Sequence, residues 1–175
     1  SLAVWVPFNE GWGQFDAADM AAKVCSWDSS RAIDHASGYF DRKAGDFHSY
    51  HIYFKPFSPK ADPEKRVLAL TEFGGYSLPT EGHMPSEGDT VSPVLYGYKM
   101  FSDKKTLNEN ILKLYKNDVL GNMSKGLSAA VYTQVSDVED EINGLFTYDR
   151  KEIKADASVM KQIADMLNKA FGEHS

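Results

Sequence analysis

Two stretches of this chain are built on one plan. Val4-Trp5-Val6-Pro7-Phe8-Asn9-Glu10-Gly11 and Leu68-Ala69-Leu70-Thr71-Glu72-Phe73-Gly74-Gly75 each run from an apolar segment without polar alternation into a glutamate. Glycine follows at once in the first case, and aromatic-Gly-Gly in the second. Strands of this kind are covered on both faces, the habit of parallel sheets in α/β proteins. A glutamate at the C-terminal end of such a strand lies on the edge where parallel α/β proteins bind ligands.

Further short apolar or aromatic segments recur at Arg31 to His35, Phe47 to Phe54 and Leu127 to Val135, the last expected to be another buried strand. Asp16 is placed to cap a helix carrying Met20 and Val24, and Cys25 on that helix is expected to be a packed thiol. Leu107, Ile111, Leu112, Leu114 and Tyr115 repeat with helical spacing, as do Val159, Ile163, Met166, Leu167 and Phe171. Between residues 36 and 66 there is little room for full helices. The Gly/Pro/Ser-rich stretch Tyr76 to Pro93 reads as a large loop, and loops this long inside domains often carry function. Periodicity alone does not name a barrel. With 175 residues, 42% of them hydrophobic, and no linker or internal repeat, one domain spanning residues 1–175 is expected.

Charge narrows the partners. Nineteen Lys and Arg against 25 Asp and Glu leave a formal charge of −6 and no basic run to neutralise a line of phosphates, so nucleic acid is not an expected partner. No stretch approaches the ~20 apolar residues that cross a bilayer. The chain opens directly on Leu2-Ala3-Val4-Trp5-Val6, as a piece of a larger enzyme would, and its location is left open, with a periplasmic or secreted parent as one option.

Cleaving a glycosidic bond takes two carboxyl groups, one protonated to serve the leaving oxygen and one ionised to attack the anomeric carbon. Glu10 and Glu72 on neighbouring strand ends supply such a pair. Asn9 adds a donor for a sugar hydroxyl, and Trp5, Trp12, Phe15 and Phe73 supply flat apolar faces. His48 and His51, three apart on a strand, point to opposite faces, which argues against a metal; no metal and no cofactor are expected.

The runs Trp5 to Gln14 and Thr71 to Gly75 resemble the acid/base and nucleophile motifs of glycoside hydrolase family 2, the β-galactosidases, β-glucuronidases and β-mannosidases. The resemblance continues through Arg31-Ala32-Ile33-Asp34, Ser37-Gly38, Asp46 to Tyr50, Tyr132 to Glu139 and Asn143-Gly144-Leu145. It implies an α/β fold that is part of a (β/α)8 TIM barrel, about strands four to eight, with irregular connections. It also implies a retaining hydrolase of β-glycosides with Glu10 as general acid/base and Glu72 as nucleophile. Asn9 would hold the sugar 2-hydroxyl, Trp12, His48 and Gln134 would contact substrate, and Tyr50 would orient Glu72, with Tyr53 and His48 as competitors for that role. Asp137, Glu139 and Asp140 are expected on a polar rim, and the loop with Glu81, Gly82 and His83 as a wall of the pocket. The alternative is a non-catalytic carbohydrate-binding domain. Five strands of eight leave open barrel edges, so the isolated chain is expected to self-associate and to turn over little substrate.

Overall fold

The computed structural model describes residues 1–84 and 99–174, so the stretch after Met84 in the expected long loop lies outside the described residues. The fold is mixed α/β with parallel strands in small sheets. In chain order the elements are β1 (Val4–Trp5), α1 (Ala17–Trp27), β2 (Ala32–Ile33), β3 (Phe47–Ile52), β4 (Val67–Gly74), α2 (Lys104–Leu114), a π-helix (Tyr115–Leu120), a short α3 (Gly121–Met123), β5 (Leu127–Thr133) and α4 (Ala157–His174). Each strand falls inside a segment expected from its apolar run. As the tight spacing required, no helix occurs between β2 and β4.

The chain forms two compact units, the first from residues 1–52, 57–73 and 122–131, the second from 53–56, 74–121 and 132–175. It passes from one to the other repeatedly, which is why no linker is visible in the sequence. In the first unit β1 pairs in parallel with β2, and β3 in parallel with β4, whose other edge carries β5. Asp46 links the two sheets: its N–H donates to Ile33 O at 2.8 Å, and its side chain accepts from Ile33 N–H at 2.8 Å. Leu68, Ala69 and Leu70 of β4 are buried in succession, as an unbroken apolar run requires. β1 and β5 depart from this expectation. Trp5, Val6 and Val131 are exposed, because β1 has a neighbour on one side only and β5 ends its sheet.

Two other local expectations are corrected. Asp16 stands at the N-terminus of α1 with a left-handed φ of 40°, and its side chain makes no capping bond. Cys25 is exposed, since the buried face of α1 is carried by Ala17 and Ala21.

A charged cluster ties the front of β3 to its flanking loops. Arg66 grips Asp41 with both terminal nitrogens, each at 2.8 Å. The same guanidinium meets Asp62 at 3.0 and 2.9 Å, while His48 Nδ1 lies 3.0 Å from Asp62. Paired forks of this kind are among the stronger hydrogen-bonded contacts. Hydrogen bonds from the guanidinium hold the Asp41 carboxyl down at about 2 and the Asp62 carboxyl well below the usual range. Nearby, His35 is fully buried; burial pushes its pKa down, and the neutral ring accepts from Arg42 N–H at 2.9 Å.

The second unit is built on Leu78, Phe101, Leu107, Ile111 and Ile163, with Tyr115, Val159, Met166 and Leu167 packed against them. Asp103 caps α2 by accepting from Thr106 N–H at 2.8 Å. Phe171 is exposed, so the apolar stripe of α4 ends before it. Asp137 is no rim residue: it is buried, with Lys154 Nζ at 2.6 and 2.7 Å from its two oxygens and Gly144 N–H donating at 2.8 Å. Burial pushes the Asp137 carboxyl up and the Lys154 ammonium down, against their mutual attraction.

Two predictions follow from these polar anchors. The Asp41 carboxyl falls from 3.8 to about 2 on folding, so its contribution is complete above the upper value and lost as pH falls through the lower. The urea midpoint of the native chain should therefore drop steeply across that window, and Arg66→Met should flatten the drop. Lys154→Met strands a buried carboxylate and should destabilise the chain by about 3–5 kcal/mol, with most of the loss recovered in Lys154→Met/Asp137→Leu, as read from denaturant unfolding.

Candidate active site

The two glutamates meet in the first unit. Glu10 follows β1 in a turn closed by a bridge between Asn9 and Trp12, with φ 53° at Glu10 itself. Glu72 lies within β4. Between them sits His51 of β3, whose Nδ1 is 3.1 Å from Glu10 Oε1 and 3.2 Å from Glu72 Oε2. One oxygen of each glutamate and this nitrogen all lie within 4.8 Å of one another. The imidazole is 2% exposed while Glu10 and Glu72 keep 23% and 27%, so the ring lies beneath and the carboxylates remain open to solvent.

A slip in strand register sets this face. Phe47 to Tyr50 pair in step with Val67 to Leu70, after which His51 pairs with Glu72, leaving Thr71 as an extra residue on β4. Because side chains alternate along a strand, a one-residue slip turns everything beyond it to the other face. Glu72 thereby leaves the face of Leu70 and joins that of Ser49 and His51. Tyr50 stays behind: its ring stacks on His48 at 4.6 Å and meets Phe57 edge-on at 5.2 Å, and its hydroxyl lies 3.5 Å from His48 Nδ1. The hydroxyl expected to orient Glu72 thus meets His48 instead. Tyr50 and His48 both lie on the face of the Arg66 cluster, and His51 is in contact with Glu72.

A polar chain holds His51 from behind. Asp34 Oδ1 accepts from Ser49 Oγ at 2.7 Å and from Ser37 N–H at 3.1 Å, and Ser49 Oγ accepts from Gly38 N–H at 2.8 Å. Gly38 thus lies against the imidazole, where a Cβ would come within 2.1 Å of His51 Cδ2, at a φ of 77° that disfavours any other residue. Ser37 Oγ is 3.5 Å from His51 Nε2.

The remaining expected site residues are distributed as follows. Asn9 and Trp12 are exposed beside Glu10, Trp12 at 82%. Trp5 is exposed and donates its indole N–H to Asp28 at 3.0 Å, and Phe73 is buried in the core and offers no face to a sugar. Gln134 belongs to the second unit, where its amide donates to Glu141 at 2.9 Å and Asn143 at 2.7 Å. His83 Nδ1 lies 2.9 Å from Asp149, also in that unit. A cavity of about 550 Å³ in the second unit is lined by Tyr53, Lys55, Tyr76, Lys99, Lys113 and Asp118 among others. Tyr53, weighed as a partner for Glu72, lines it, and its hydroxyl donates to Thr133 Oγ1 at 3.1 Å.

Among the described residues two groups have the donor spacing to hold a metal ion: Glu10 with His51 and Glu72, and Asp41 with His48 and Asp62. In the second, Arg66 already supplies the positive charge both carboxylates face. The two histidines do point to opposite faces of β3, each into its own pair of carboxylates. The family resemblance points to Tyr50 for the orienting role and gives no sign of His51, which comes beside Glu72 only through the register in which β3 and β4 pair.

Comparison with protein-family models and with curated proteins returns no match. No helix among the described residues is long and apolar enough to cross a membrane.

Gly38→Ala should force the loop off His51, costing on the order of 1–3 kcal/mol in urea unfolding. It should also move the His51 imidazole resonances in a heteronuclear NMR spectrum while those of His83 stay in place.

Proposed function

We propose that the chain carries the catalytic pair of a retaining glycoside hydrolase acting on β-glycosides, with Glu72 as nucleophile and Glu10 as general acid/base. The observation that carries this reading is the separation of the two carboxylates, whose nearest site oxygens lie within 4.8 Å. Retaining enzymes hold their carboxyl groups about 5–5.5 Å apart, whereas inverting enzymes need about 6.5–9.5 Å to admit a water. The short spacing supports double displacement. Residue types add to it, since both groups are glutamates, one in the turn after β1 and one within β4, and both keep a solvent-facing edge.

Glu72 attacks the anomeric carbon as the glycosidic C–O bond breaks, and the leaving oxygen takes the proton of Glu10. A water then gives its proton to Glu10 while its oxygen attacks the same carbon and frees Glu72. His51 is a positioning residue in this scheme. A single N–H on Nδ1 reaches either carboxylate and keeps both at the spacing the anomeric centre needs. Asn9, beside the acid, is placed to hold a sugar hydroxyl.

The strand order favours a larger assignment. β1, β2, β3, β4 and β5 follow one another in space as in sequence, joined between β2 and β3 through Asp46. Consecutive parallel neighbours are the rule in a (β/α)8 barrel, and the five strands fit its strands four to eight. Exposed Trp12 favours a second reading, a non-catalytic carbohydrate-binding surface with the same residues.

In the complete polypeptide, Glu10→Gln should lower kcat by about 10²–10⁴-fold, and Glu72→Ala should be revived by azide to give a glycosyl azide of inverted configuration. Mass spectrometry after treatment with a 2-deoxy-2-fluoroglycosyl fluoride should find the adduct on Glu72. Full activity in both variants would sink the reading, and reversible binding with neither turnover nor adduct would favour a binding domain.

A further inference from the structure

We infer that Tyr39 and Phe40 form the platform for the leaving group, so that the preferred substrates carry a ring, a second sugar or an aryl group, beyond the scissile oxygen. This rests on the double-displacement reading of the Glu10–Glu72 pair. In that chemistry the nucleophile approaches one face of the sugar and the acid stands beside the departing oxygen. What flanks Glu10 therefore flanks the leaving group.

What flanks Glu10 is an aromatic pair. Phe40 packs against Gly11, the next residue after the acid, so closely that a Cβ there would meet Phe40 Cε2 at 2.5 Å. Gln14, three residues further, fixes that ring's backbone by donating to Phe40 O at 3.0 Å. Tyr39 stands edge-on to Phe40 at 6.0 Å and edge-on to the His51 ring at 6.2 Å. The pair thus runs from the imidazole under the two carboxylates to the backbone of the acid's own turn. Both rings nevertheless face water, Tyr39 at 51% and Phe40 at 59%.

The loop is held there by several independent contacts. Ser37 and Gly38, immediately before the pair, adopt φ of 44° and 77°, and Asp34 and Ser49 bond their N–H groups. Asp41, immediately after it, is gripped by Arg66. Two anchored flanks present two exposed rings at a defined place, with little ordering left for a ligand to impose. Aromatic faces bind the apolar C–H faces of sugar rings and other aromatic rings, and neither has a use for a small alkyl leaving group.

The test uses the full chain and ligands that cannot be cleaved: phenyl and methyl β-thioglycosides of galactose, glucuronic acid and mannose, titrated by calorimetry and by saturation-transfer NMR. For whichever sugar binds, the phenyl compound should bind about tenfold more tightly than the methyl one, with saturation reaching the phenyl protons. Tyr39→Leu/Phe40→Leu, which keeps apolar bulk without a ring face, should erase that advantage and leave the methyl compound within about twofold; Tyr39→Ala/Phe40→Ala should do the same. Equal binding of phenyl and methyl compounds, or a phenyl advantage that survives both double variants, overturns the platform and leaves the reading of the carboxylates intact. If no thioglycoside binds and the fluoroglycoside leaves no adduct on Glu72, the reading beneath it falls as well.

Discussion

The geometry of the candidate site depends on one buried imidazole. His51 is in contact with both glutamates, and it is itself held by the loop of Gly38 and by the register of β3 on β4. Two carboxylates brought within hydrogen-bond reach of one nitrogen repel each other less than two left bare, since an N–H between them offsets part of the like-charge cost. The polar chain behind the ring, from Asp34 through Ser49 to Gly38, fixes where that nitrogen points. Positioning from behind is how a site keeps its geometry while its working edge stays open to water.

β3 is unusual in carrying charge-bearing contacts on both sides. His51 and Ser49 serve the glutamates, while His48 and Tyr50 serve the cluster of Asp41, Asp62 and Arg66. Charges this poorly hydrated are tolerated only when paired with good geometry, and the double fork of Arg66 provides it. The same cluster anchors the residue after Phe40, so the face that does not hold the candidate site still sets the shape of the loop that borders it. In the second unit the buried pair of Asp137 and Lys154 anchors a loop segment in the same way, with Ile142 O accepting from Lys154 Nζ at 3.0 Å.

Much of the architecture was legible in the residues. Unbroken apolar runs at Val67–Leu70 and Leu127 placed β4 and β5, and the 3.6-residue spacing of Leu107 with Ile111, and of Val159 with Ile163, placed the two helices that share a core. Burial was read less well wherever it depended on a neighbour. Trp5 and Val131 look like core residues until the strands beside them are counted, Cys25 and Phe171 fall just off the packed faces of their helices, and Asp137 looks like a surface acid until Lys154, 17 residues on, reaches it.

The pairing of Glu10 with Glu72 could be anticipated because each comes after an apolar run and just before a glycine, features that a local stretch of chain carries by itself. Which strand residue would stand beside Glu72 could not. Counting by twos puts Tyr50, Leu70 and Glu72 on one face, and nothing in Thr71 announces that it will be the residue left over when β3 and β4 pair. Strand register is a relation between segments that meet only on folding. The sequence therefore determined that two carboxylates would stand at the ends of apolar strand segments, and tertiary pairing alone decided that an imidazole, rather than a phenol, would lie between them.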